Sequence, residues 1–112
     1  MSHVKFKRLM THRYTITEQT RNTAGDLVDG VTYTDIPGFT EYAKSVVVNT
    51  NGEQVTAGAI VFFDDTAPIN ANTILWRVEQ IAPFTQTFQV LKVEPISDPR
   101  SGKLHHYEIY TR

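Results

Sequence analysis

Between Val46-Val47-Val48 and Ile60-Val61-Phe62-Phe63 the chain reads Thr50-Asn51-Gly52-Glu53, and this polar interruption constrains the fold more than any other segment. Asn-Gly favours the positive φ values of a type I′ turn, so the flanking runs are expected to pair as a β-hairpin. Its arms extend from about Phe39 to Thr50 and from about Glu53 to Asp64, longer than the five or six residues common for strands. A hairpin of that length is expected to project beyond the body that supports it. Glu41, Lys44, Asn49, Asn51, Glu53 and Gln54 leave its outer half little apolar surface, so the tip is expected to be exposed.

The rest of the chain also reads as strands. Thr11 to Gln19 sets His12, Tyr14 and Ile16 on one parity against threonines and Arg13 on the other, the pattern of a half-buried strand. Arg21 to Asp26 is a polar turn, Leu27 to Ile36 resumes strand character, and Pro37-Gly38 is expected to break the ladder and redirect the chain. Asp64 to Asn72 is a loop by its Pro, Asn and Asp content, and Thr73 to Pro83 is a strand in which Ile81 breaks the parity of Ile74, Trp76 and Val78. In Gln86 to Ile96, Phe88 and Val90 agree while Leu91 and Val93 take the opposite parity, as at a bulge or barrel corner. Asp98 to Gly102 is a turn and Lys103 to Tyr110 a closing strand. Six to seven strands at spacings near ten residues predict an all-β fold, a small antiparallel β-barrel or sandwich with one long projecting hairpin at 39–64. With 112 residues there is room for one core, so residues 14–112 form a single domain preceded by a basic arm, residues 1–13.

Composition narrows the functions. The absence of cysteine removes disulfides, thiolate chemistry and cysteine-based zinc sites, and is compatible with a reducing cytosol. No apolar run approaches the roughly 18 residues that span a bilayer, so no membrane partner is expected. The opening Met-Ser-His-Val-Lys-Phe-Lys-Arg lacks the apolar block of a signal peptide. A net charge of -1 hides an asymmetry: Lys5, Lys7, Arg8 and Arg13 stand in an acid-free stretch, leaving 7 basic against 12 acidic residues behind them. Such an arm suits docking against an acidic neighbour, whether protein or phosphate backbone, while a short basic tail that is simply solvated is the plainer reading. A domain devoted to gripping nucleic acid usually carries a clear basic surplus, which is missing here.

Asp64-Asp65 and His105-His106 are the candidates for acid-base or metal chemistry. Neighbouring strand residues point to opposite faces, so the two histidines are not expected to chelate one ion together, and Asp64-Asp65 at a strand end is expected to cap a turn. No phosphate loop, nucleophile elbow or zinc-helix motif is present, so no enzyme activity, metal or cofactor is expected. Trp76, Phe62, Phe63, Phe84, Phe88 and Tyr107 could form a base-stacking platform, which would make the chain a monomeric barrel binding single-stranded nucleic acid. Core packing accounts for most of these aromatics, and only Trp76-Arg77 interleaves one with a basic residue.

From Gly38 to Ile96 the order of features resembles the head-closure proteins of long-tailed bacteriophages, the stopper or head-completion family of the head-to-tail connector. The matching parts are Gly38-Phe39-Thr40-Glu41-Tyr42, a long polar hairpin (Ala43 to Gly58), the strand Ala59-Ile60-Val61-Phe62-Phe63-Asp64, and Leu75-Trp76-Arg77-Val78-Glu79-Gln80-Ile81-Ala82-Pro83. The resemblance implies a structural subunit of a homo-oligomeric ring, a hexamer or dodecamer, in the virion at the head-tail interface and made in the host cytoplasm. A portal-adaptor protein would lie above it and a tail terminator or tail tube below. It further implies that Glu41, Lys44, Asn49, Thr50, Asn51, Gly52, Glu53 and Gln54 form a gating hairpin in the channel of packaged double-stranded DNA, met without sequence specificity. Lys5, Lys7, Arg8 and Arg13 would dock on the adaptor or a neighbour. A tail terminator or tail-tube subunit of the same virion is the alternative within that assembly.

Overall fold

Alternation of apolar and polar residues with a period of two puts one side of each strand inside and the other outside, and a sheet built this way can close on itself. The computed structural model describes residues 3–49, 51–69 and 76–112, and the side chains of residues 3–5 and 76 stand outside that description. Its elements are α1 (His3–Arg8), β1 (His12–Arg21), β2 (Leu27–Val48), β3 (Gln54–Asp64), β4 (Trp76–Ala82), β5 (Gln86–Ser97) and β6 (Leu104–Thr111). The six strands form one antiparallel barrel in the order β1-β2-β3-β6-β5-β4, closed by β4 against β1. The expected loop at 70–72 and the expected strand start at Thr73 lie outside the described residues.

The core follows from that alternation. Tyr14 and Ile16 of β1, Ala59, Val61 and Phe63 of β3, Val78 of β4, Phe88 and Val93 of β5, and Tyr107 and Ile109 of β6 pack in the barrel interior. Ala67 and Ile69, just after β3, join the same cluster. The residual cavity among Ile16, Phe63, Ile69, Val78, Val93 and Ile109 has a volume of about 10 Å³, about one water-sized probe, so side chains fill this part of the barrel. Both parity breaks read in the sequence are register shifts. Ile81 is the extra residue of β4 opposite Arg13/Tyr14, and Leu91 is the extra residue of β5 opposite Tyr110/Thr111. Leu91 is buried beside the switch at which β5 exchanges β4 for β6 as its partner.

Pro37-Gly38 does not break the ladder. β2 runs unbroken for 22 residues, pairing its first half with β1 up to Gly38↔His12 and its second half with β3 from Gly38↔Phe63. Absence of a side chain at position 38 makes this continuity sterically feasible. A Cβ there would lie 2.7 and 2.9 Å from the Tyr14 ring and 2.8 Å from the Phe62 carbonyl oxygen, inside contact distance. β2 also absorbs three extra residues, near Gly30/Val31, Thr34/Asp35 and Ala43/Lys44, and Asp35 takes a φ of 56°. Bulges of this kind bend a strand and increase its twist, which lets one long strand wrap a small barrel.

A polar knot lies at the same waist. Thr40 Oγ1 donates to Gln80 Oε1 at 2.9 Å, Tyr14 Oη bonds Thr40 Oγ1, and the Thr40 amide donates to His12 Nδ1 at 3.2 Å. Gln80 and Tyr14 are fully buried. Burial pushes the Tyr14 phenol well above its ordinary range, with the Thr40 bond opposing and Tyr42 adding to the rise. Tyr110 is raised to about 12, by burial first and then by its bond to Glu108 and the charges of Glu108 and Glu94, and burial together with the charge of Asp65 raises Tyr107.

Replacing Gly38 with alanine is expected to lower stability by about 1–3 kcal/mol, as overpacking does in a well-filled core, read as a fall in denaturant midpoint with an unchanged slope. The raised tyrosines set a pH window as well. Their neutral forms are favoured in the folded chain, so this stabilisation is complete below the unfolded value of 10 and is lost at higher pH, for Tyr110 as pH rises through about 12. Ultraviolet titration of tyrosinate is expected to show phenols that ionise only together with unfolding.

Candidate functional site

Two hairpins stand out on the surface of the barrel. β2 supplies an arm to each: the β1–β2 turn precedes its start and the β2–β3 turn follows its end.

The β2–β3 turn is where the Asn-Gly signal stands, but it is not a type I′ turn. The Asn49 amide donates to the Glu53 carbonyl at 2.9 Å and the Gly52 amide to the Asn49 carbonyl at 3.1 Å, so three residues rather than two lie between the paired positions. Only Gly52 of the described turn residues has positive φ, at 79°. Such three-residue loops combine a turn with a left-handed residue, a role glycine fills without strain. Asn49 Oδ1 accepts from the amides of Asn51 and Glu53, both at 3.0 Å, and fixes the turn from inside.

The β1–β2 turn repeats this chemistry. Asn22 Oδ1 accepts from Ala24 and Asp26 amides at 3.0 Å, the Gly25 amide donates to the Asn22 carbonyl at 3.0 Å, and Gly25 has a φ of 86°. Asn22-Thr23-Ala24-Gly25-Asp26 and Asn49-Thr50-Asn51-Gly52-Glu53 are thus one pattern used twice. That five-residue match was the signal by which a second projecting hairpin could have been found.

The β1–β2 hairpin is the more exposed of the two. Every residue from Thr20 to Thr32 is exposed, including Leu27, Val28 and Val31. Arg77 anchors its base, donating to both carboxylate oxygens of Asp29 at 3.2 and 3.0 Å and to Glu79 at 2.9 Å. Hydrogen bonds from Gln19 and then Arg77 hold the Asp29 carboxyl below its usual range. In the β2–β3 hairpin, by contrast, Val47 and Ala57 are buried while Val46 and Val48 are exposed, so one face of the ribbon is covered almost to its turn. Of the expected gating residues, Glu41, Lys44, Asn51, Gly52, Glu53 and Gln54 are exposed and Asn49 is half-buried, whereas Thr50 lies outside the described residues.

The basic segment is not a free arm. His3–Arg8 is a short helix whose Phe6 is buried against Phe62, His105 and His106, with ring centroids 6.5, 5.1 and 4.7 Å away. Lys7 pairs with Asp65 at 3.3 Å and Arg13, already within β1, with Asp35 at 3.4 Å. Arg8 is exposed, and the Lys5 side chain lies outside the described residues.

The two histidines meet, against expectation. The β5–β6 register shifts between Ile96/Ser97 and leaves His105 as the extra residue, freeing it from strict alternation. His105 Nδ1 and His106 Nδ1 stand 2.8 Å apart, and His106 Nε2 lies 3.0 Å from Glu108 Oε2. Among the described residues no group of three or more His, Asp or Glu side chains is arranged to hold a metal ion. Asp64 is buried and its Oδ1 accepts from the Thr66 amide at 2.9 Å, the turn-capping role expected of it.

The imagined stacking platform is dispersed. Phe63, Phe88 and Tyr107 are inside the barrel, Phe62 packs on Phe6, Phe84 is exposed, and the acids around Arg77 occupy its guanidinium. No helix of the described residues is long and apolar enough to cross a membrane.

Together these features define a six-stranded antiparallel barrel with paired surface hairpins. No family model and no curated protein sequence matches the chain.

Phe6→Ala is expected to weaken docking of α1 by about 3 kcal/mol, the lower end for losing a buried phenylalanine. Amide exchange in residues 3–10 should then accelerate while β3 and β6 keep their protection. Unchanged exchange in α1 would show that Phe6 does not hold it.

Proposed function

We propose that the chain is a structural subunit of a phage head-to-tail connector, a head-closure protein that forms a ring and places its β2–β3 turn in the DNA channel. The observation that carries this reading is a group of exposed apolar residues on each of the two hairpins, Leu27, Val28 and Val31 on one and Tyr42, Val46 and Val48 on the other, beside Leu9, Ile81 and Phe84 elsewhere. Residues of this kind are covered when identical copies meet in a closed ring, because a heterologous contact repeats around an axis. The fold class agrees with the family that the segment from Gly38 to Ile96 resembles.

The charge of the turn suits a passage for DNA. Lys44 is the single cation between Phe39 and Asp64, against Glu41, Glu53 and the buried Asp64. A strongly cationic lining would clamp phosphates through counterion release, whereas a weakly acidic polar tip blocks sterically and lets the genome leave. In the ring, the exposed Leu27, Val28 and Val31 lie against the next subunit or the adaptor, and Arg8 remains available to an acidic partner.

Deleting Val47, Val48, Gln54 and Val55 removes two rungs of the ladder and keeps the Asn49 turn in its hydrogen-bonding phase. The tip then withdraws by about 7 Å, two residues of strand rise. The shortened subunit is expected to join connectors normally, while filled heads lose DNA after packaging, measured by nuclease-sensitive DNA in purified heads. Full DNA retention would refute the gating role, and failure of the intact chain to form a ring with portal-adaptor complexes would refute the connector assignment.

A further inference from the structure

We propose that Asn51 is a self-modifying site, converting spontaneously to aspartate and isoaspartate through the backbone nitrogen of Gly52. The reaction needs an asparagine side chain that can reach the next amide nitrogen, and a following residue whose side chain does not obstruct the approach. Of the five asparagines, Asn22 and Asn49 precede threonine, Asn70 precedes alanine and Asn72 precedes threonine, so only Asn51 precedes glycine. Asn51, Gly52 and Glu53 are all exposed, and a Cβ placed on Gly52 would meet no atom within 4 Å. Beyond its chain neighbours, therefore, nothing crowds Gly52.

The chemistry balances with water as the only co-reactant. The Gly52 nitrogen attacks Asn51 Cγ, the bond from Cγ to the side-chain nitrogen breaks, and ammonia leaves with the proton released by the amide. Water then opens the resulting five-membered imide at either carbonyl. One opening leaves aspartate, and the other routes the backbone through the former side chain as isoaspartate.

The turn itself sets the rate. In the closed turn the Gly52 amide donates to the Asn49 carbonyl at 3.1 Å, and Asn49 Oδ1 holds the amides on both sides of Gly52 at 3.0 Å. Attack requires Asn51 and Gly52 to leave this geometry, an opening of low free energy at an exposed hairpin tip. Asn49 is thus a positioning residue that slows the conversion. Ala24-Gly25 occupies the corresponding place in the twin turn, with the same hydrogen bonds and no side-chain amide, and is an internal control.

Conversion adds a carboxylate beside Glu53, and the isoaspartate form lengthens a loop whose register depends on three residues. In the ring proposed above each converted copy brings a negative charge to the channel. That consequence rests on the connector reading, whereas the conversion does not.

Incubation of the full chain at mildly alkaline pH, followed by peptide mass spectrometry, tests the proposal. The Asn51 peptide is expected to gain the amide-to-acid mass change severalfold faster than the Asn22 peptide, with isoaspartate as a major product. N49A is expected to accelerate conversion by roughly ten- to thirtyfold, the factor carried by two net hydrogen bonds. A24N is expected to create a second site in the β1–β2 turn with a rate similar to that of Asn51. A parallel sample unfolded in urea reports the chemistry without the turn. If Asn51 persists in the folded chain while the unfolded sample converts, or if it converts no faster than Asn22, the proposal is overturned.

Discussion

The contact between the Tyr14 ring and the bare backbone of Gly38 is the constraint on which the barrel depends. β2 changes partners at that point, from β1 to β3, and it can do so without stopping because nothing projects from position 38 into the ring. Tyr14 in turn is held by Thr40 and by the network reaching Gln80 and His12, so hydrogen bonds inside the barrel orient the ring that fills the gap, while Gln80 Nε2 has no partner among the described residues. Polar groups in such a place stabilise one arrangement because leaving any of them unpaired is expensive. The crossing, the knot and the closure of the sheet are one structural event.

A continuous strand of this length leaves edges, and the molecule blunts them. Beyond Gly38 towards its start, β2 pairs among the described residues only with β1, and Leu27, Val28 and Val31 are exposed along it. Two bulges, the positive φ of Asp35, Pro37 and the acids Asp29 and Asp35 interrupt this stretch. These are the devices by which natural sheets resist indiscriminate strand addition. They favour contact through side chains over extension of the ladder.

Much of the fold was legible because period-two alternation is a direct image of a half-buried strand. The parity breaks at Ile81 and Leu91 announced register shifts that the structure contains. What misled were residues with two physical uses. Proline and glycine usually end strands, yet at 37–38 the glycine served close packing inside one. Asn-Gly favours a two-residue turn, but Asn49 two positions earlier supplied an acceptor for two amides and selected the longer loop. The His105-His106 contact needs an extra residue in β6, which depends on register with β5 and leaves no mark in local sequence. Docking of α1 hinges on the one aromatic Phe6, too short a signal to separate a packed helix from a solvated tail. For the candidate site, the exposed tip was readable from its polarity, whereas its twin at Asn22 reads only as a polar turn because it lacks the familiar dipeptide.

Both turns are carried by the same strand, and this has a mechanical consequence. A pull on one tip reaches the other along a single covalent path, while the ladders to β1 and β3 on either side of Gly38 resist it in shear, many hydrogen bonds at a time. Strand pairs loaded along their length share force in this way, whereas pairs peeled from an end give up one rung after another. β2 therefore acts as a tie rod, joining whatever is held at one turn to whatever is held at the other.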